Sequence, residues 1–110
     1  MTAKPVVPRQ QANQDVDAII ACYLAEDPSG AAALGFVDAL ERAYLHIARH
    51  PASGSPRYAH ELDLPGLRTW PLTHYPQIVF YVERPDHVDV WRALHGRRDI
   101  PEWMHEPDPV

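Results

Sequence analysis

At 110 residues, 45% of them hydrophobic and 23% charged, the chain has room for one modest core and the make-up of an ordinary soluble globular domain over residues 1–110. The formal net charge of −5 runs against the basic surplus with which nucleic-acid binders neutralise phosphates, so no direct nucleic-acid contact is expected. Cys22 is the sole cysteine, which excludes an internal disulfide; with no long apolar run and no apolar leader, a cytoplasmic location and no membrane partner are expected.

In chain order, Val6-Val7 lies between Pro5 and Pro8. Proline donates no ladder hydrogen bond, so this is at most a short edge strand. Residues 13–26 carry Val16, Ile19, Ile20, Tyr23 and Leu24 at helical spacing, with Asn13 as the expected N-cap and Asp15 and Asp17 in the first turns. The turn Asp27-Pro28-Ser29-Gly30 leads into a second helix from about residue 30 to His50, with Ser29 as its cap. Ala33, Val37, Leu40, Tyr44, Ile47 and Ala48 form its stripe, Phe36 widens it, and Pro51 stops it. So short a turn predicts an antiparallel helical hairpin whose apolar stripes need a further layer.

That layer is expected from strands at 58–64 and 67–73 separated by Pro65-Gly66, then Gln77–Glu83, then 87–94 after the turn Arg84-Pro85-Asp86. Gly96 breaks the last strand. Asp99 and Glu102 have capping-box spacing and predict a short C-terminal helix over 99–106, ended by Pro107 and Pro109. Helices first and strands after give an α+β class: a helical hairpin on one face of a small antiparallel sheet.

Chemistry has few footholds. His46 and His50 have the i, i+4 spacing of a two-histidine metal face, but no third ligand is set, and the favoured reading is two partly exposed histidines near a helix C-terminus, where a cation suits the dipole. No metal and no cofactor are expected. Cys22 reads as an inert thiol beside the first helical stripe. The arginines stand out: Arg68 in the strand after Pro65-Gly66, Arg92 inside the last strand, and Arg97 and Arg98 after His95 and Gly96. Alternation places Val88, Val90, Arg92 and Leu94 on one face and Asp89, Trp91, Ala93 and His95 on the other, without deciding which faces the helices. A mid-strand Arg is costly to bury unpaired, so Arg92 must reach water, an internal carboxylate or a partner. Trp103 is either packed on the sheet or a contact residue.

Several segments in order resemble ParE-like toxins of the RelE/ParE superfamily. They are Asp15–Ile19, then Phe36–Ala43 with His50-Pro51 and Gly54–Arg57, then Leu64-Pro65-Gly66-Leu67-Arg68, Val79-Phe80-Tyr81-Val82, and Arg92-Ala93-Leu94-His95-Gly96-Arg97-Arg98-Asp99-Ile100-Pro101. The resemblance implies the toxin of a type II toxin–antitoxin pair. It implies neutralisation by the C-terminal segment of a ParD-like antitoxin in a hetero-oligomer, inhibition of DNA gyrase, and no catalytic step. Arg68, Arg92, His95, Arg97, Arg98 and Trp103 are then the expected partner-binding residues. A RelE-like ribosome-dependent mRNA endonuclease is the alternative. Arg68 and Arg92 fall at matching places, but no Tyr or Lys follows Gly96, which would leave acid–base work to His95. A relative that only binds antitoxin is a third possibility.

Overall fold

The computed structural model describes residues 3–96. Its elements are β1 (Val6–Pro8), α1 (Gln10–Glu26), α2 (Ala31–Arg49), a single 3-10 turn (Pro51–Ser53), α3 (Arg57–Glu61), β2 (Leu67–Pro71), β3 (Gln77–Glu83) and β4 (Val88–His95). The expected C-terminal helix, with Asp99, Glu102 and Trp103, lies outside the described residues, as do Arg97 and Arg98.

The sheet order is β1-β4-β3-β2. The last three strands form the expected antiparallel meander. The sheet is nonetheless mixed, because β1 joins its edge parallel to β4, with Val6 opposite Val88. Pro5 and Pro8 bracket β1 and keep it short, and the chain then passes directly into α1. Arg9 in extended conformation, not Asn13, precedes that helix. The earlier start brings Ala12, the one fully enclosed side chain of α1, into the helix.

Gly30, at a φ of 84°, ends the hairpin turn. Gly30, not the expected Ser29, is the N-cap of α2; from the turn before it the Ser29 hydroxyl accepts the Ala31 N–H at 3.3 Å and the Asp27 carboxylate accepts the Ala32 N–H at 3.2 Å. The Ser29 hydroxyl, and with it the Ala32 and Ser29 amides, hold the Asp27 carboxyl below its usual range.

The helical hairpin covers one face of the sheet. Phe36, Leu40, Ala43 and Ile47 of α2 meet Val79, Tyr81, Val88 and Val90. Removing a buried ring such as Phe36 costs about 3–5 kcal/mol in sites of this kind. α1 is more lightly seated, with Val16, Ile19, Ile20 and Tyr23 only partly covered.

The expected strand over 58–64 is instead the short helix α3 followed by a turn. Its alternating residues mislead, since Ala59 and Glu61 favour helix and Pro56 sets the start. Tyr58, Ala59 and Leu62 share one side and cover Leu67, Phe80, Val82 and Leu94 on the second sheet face. Asp63, at a φ of 53°, ends the turn. The segment therefore makes a small second core rather than another strand.

Candidate functional site

The last strand departs from plain alternation. Tyr81 pairs with Val90, but Phe80 pairs with Arg92, so Trp91 is an extra residue in β4. A bulge of this kind re-aims the side chains around it. Val88 and Val90 face the helical hairpin, whereas Leu94 packs on the α3 side. The expected single row of Val88, Val90, Arg92 and Leu94 is thus split at Trp91.

β1 reaches only as far as Val90, so the following part of β4 forms a sheet edge beside α1. Arg92 reaches over this edge to Asp15. Its Nε donates to Oδ2 at 2.8 Å and its Nη2 to Oδ1 at 3.0 Å. The Ala93 N–H donates to the same carboxylate at 3.1 Å. The arginine side chain is 15% exposed and the aspartate 11%. Asp15 therefore seals a strand edge and anchors the mid-strand cation, which is the internal-carboxylate outcome among those open for Arg92. His95 lies half-buried at the end of β4, opposite Gln77, and is engaged in contacts.

Arg68 sits two strands away, on the helix side with Tyr81. Its Nη1 donates to the Gly54 carbonyl at 2.8 Å. The Tyr81 hydroxyl accepts the Gly54 N–H at 3.0 Å and donates to the Pro51 carbonyl at 2.8 Å. Burial raises the Tyr81 pKa, offset in part by the Gly54 amide and Arg68. A Cβ on Gly54 would stand 2.2 Å from that hydroxyl and 2.9 Å from the Thr69 carbonyl, so only glycine fits. Arg68 and Tyr81 together clamp the loop after α2. Among the described candidates, then, Arg68 serves one loop and Arg92 serves α1, and they do not converge on one point.

The second face carries a further cluster. Asp89, 7% exposed, accepts from Arg9, Arg84 and the Trp91 indole. Burial pushes its carboxyl up, but these three donors outweigh burial and leave it below the usual range. The Arg9 guanidinium also lies over the Trp91 ring at 4.5 Å.

Two surface features escape the sequence reading. Leu34 and Leu45 on α2 are 71% and 50% exposed and lie on one side of the helix. Beside that side runs a groove of about 350 Å³ between α2 and the end of β2, lined by Asp38, Arg42, His46, Trp70 and His74 among others. The His46 ring stacks on Trp70 at 4.0 Å and its Nε2 lies 3.0 Å from the Ser53 hydroxyl. Its signal in the sequence is the helical spacing of Arg42, His46 and Arg49.

Among the described residues no group of three His, Cys, Asp or Glu side chains could hold a metal, and no helix is long and apolar enough to cross a membrane.

A helical hairpin on a four-stranded sheet, with its last strand tied to α1, defines a small α+β fold. It is shared with a chain from the chromosomal ParDE TA system from P. aeruginosa, at a TM-score of 0.69 and 19% identity, covering 84% of this chain and 96% of that one. No curated protein matches the chain. The family model described as the ParE toxin of type II toxin-antitoxin system, parDE, matches residues 6–100, and the chain belongs to that family.

Proposed function

We propose that the protein is the toxin of a ParDE-type pair, held inactive by a ParD-like antitoxin, and that it acts by binding and inhibiting DNA gyrase rather than by catalysis. Family membership over residues 6–100 carries this reading. A second observation supports the non-catalytic part. The two cations that would flank a scissile phosphate in a RelE-like nuclease are committed to other contacts, Arg68 to the Gly54 carbonyl and Arg92 to Asp15. Such ties restrict their reach toward an RNA backbone.

The antitoxin segment lies along the helical hairpin, where Leu34 and Leu45 offer apolar anchors at helical spacing. Arg97, Arg98 and Trp103, which lie outside the described residues, remain proposed docking residues for antitoxin or gyrase, as does His95 at the end of β4. Electrostatic complementarity should make antitoxin association faster at low salt.

Growth is the first test. Induction of the chain alone should arrest growth, and co-expression of a ParD-type antitoxin should restore it. Purified toxin should then inhibit supercoiling by gyrase. Supercoiling that is unaffected by excess toxin sinks the gyrase assignment, and ribosome-dependent mRNA cleavage in the same preparation would install the nuclease instead.

A further inference from the structure

Ten Lys and Arg side chains occur in the chain, and with Arg97 and Arg98 set aside eight lie among the described residues. Six of the eight have partners. Lys4 meets Glu83, Arg9 and Arg84 share Asp89, Arg57 meets Glu61, Arg68 holds Gly54 and Arg92 holds Asp15. Arg42 and Arg49 alone, among the described residues, have no hydrogen-bond, ion-pair or ring partner, and both are exposed on α2. Seven residues make two helical turns to within about 20°, so they lie on one side of α2, roughly 10 Å apart.

His46 stands between them, fixed by Trp70 and Ser53, so the row has a rigid middle. Arg42 and His46 also line the groove, whose far wall includes His74 at a φ of 67°. That left-handed conformation is strained for a non-glycine residue, so the surrounding loop imposes it on the wall. Leu45 completes the surface, one turn before Arg49 and 50% exposed.

We propose that this row and the groove beside its Arg42 end form a docking site for an acidic segment of the antitoxin, its carboxylates meeting Arg42 and Arg49 and an apolar side chain entering the groove next to Arg42 and His46. The inference rests on the antitoxin reading above and specifies where and by what chemistry the partner binds. Charge complementarity selects the occupant. Two unspent cations at fixed spacing, in a chain of net charge −5, suit separate carboxylates better than a continuous polyanion, because Asp38 and Glu41 flank the row and repel an unbroken phosphate backbone. Guanidinium groups grip carboxylates through paired N–H donors.

The test measures binding of the ParD-type antitoxin to full-length toxin carrying Arg42→Glu and Arg49→Glu, with thermal unfolding as a control. Affinity should fall tenfold or more, mainly through slower association, and the salt dependence should flatten. The melting temperature should fall by only a few degrees, through the lost helix-dipole interaction of Arg49 in the last turn of α2, since neither side chain has a partner among the described residues. Arg42→Lys with Arg49→Lys should keep most of the affinity. The single Arg49→Glu variant carries the same expectation if the double variant folds poorly. Antitoxin binding within twofold of wild type by the charge-reversed toxin overturns the proposal while leaving the antitoxin reading intact. Equal loss in the lysine and glutamate variants also overturns it, as does binding of a single-stranded oligonucleotide or self-association that the glutamate variants abolish. Wild-type toxin that binds no ParD-type antitoxin defeats the reading beneath it.

Discussion

Replacing Asp15 by Ala removes the acceptor for three hydrogen bonds at once: two from Arg92 and one from the Ala93 N–H. A backbone N–H stranded at a covered strand edge costs about 1–3 kcal/mol. Deleting one partner of a buried ion pair costs about 3–5 kcal/mol. These costs overlap, and the pair keeps 15% and 11% exposure, so the lower end applies and the sum is about 3 kcal/mol. For a domain of this size that lowers Tm by roughly 12–24 °C. Asp15→Asn keeps one acceptor and should lose about half as much, which leaves a folded variant to measure. The decisive experiment is a double-mutant cycle with Arg92→Met, by urea unfolding followed through tryptophan fluorescence. The expected coupling is about 2 kcal/mol, near the upper part of the range for contacting residues. A coupling under about 0.5 kcal/mol would show that Arg92 is not held by Asp15. Antitoxin affinity measured on Asp15→Asn then separates positioning from contact.

Gly54→Ala should destabilise by about 1–3 kcal/mol in chemical unfolding, and Tyr81→Phe should fail to rescue it, because the Thr69 carbonyl 2.9 Å from the new Cβ remains. Tyr81→Phe alone loses two hydrogen bonds and should cost about 1–3 kcal/mol. Tyr44 has its pKa pushed up to about 12, chiefly by burial and also by the Asp15 charge. A raised folded pKa means that stability is intact below about pH 10, the unfolded value, and falls as pH rises toward 12, by about 2–3 kcal/mol in all. Alkaline unfolding curves of Tyr44→Phe should lack that loss. Because the buried Tyr44 hydroxyl has no hydrogen-bond partner among the described residues, the same variant should be neutral or slightly stabilising at pH 7.

Much of the fold is legible in the sequence, for local reasons. The stripe of α2 and the apolar run of β3 each fit one period, and the structure places both within a residue of expectation. The misses have physical causes. Residues 58–64 alternate like a strand, yet their apolar side chains serve a second core that no local window reveals. The parallel pairing of β1 joins segments far apart in the chain, so nothing near Val6 announces it. The bulge at Trp91 is likewise set by the partner strand. The candidate site is less legible. That Arg92 needs a partner follows from its place in mid-strand, but the identity of Asp15 depends on where α1 lies. The unspent pair Arg42 and Arg49 becomes visible only once every other described cation has been matched to its acceptor.

The pairing of Val6 with Val88 also bears on how the molecule comes into being. The first strand waits for the last, and the central place of β4 in the sheet is filled only when the final described element arrives. Pairing over such a separation is entropically costly and slows folding. During synthesis, a nascent chain halted before Val88 lacks β4 and the Arg92 tether, and so lacks a seat for α1. Premature termination should therefore yield fragments that aggregate or are degraded, not partial toxins.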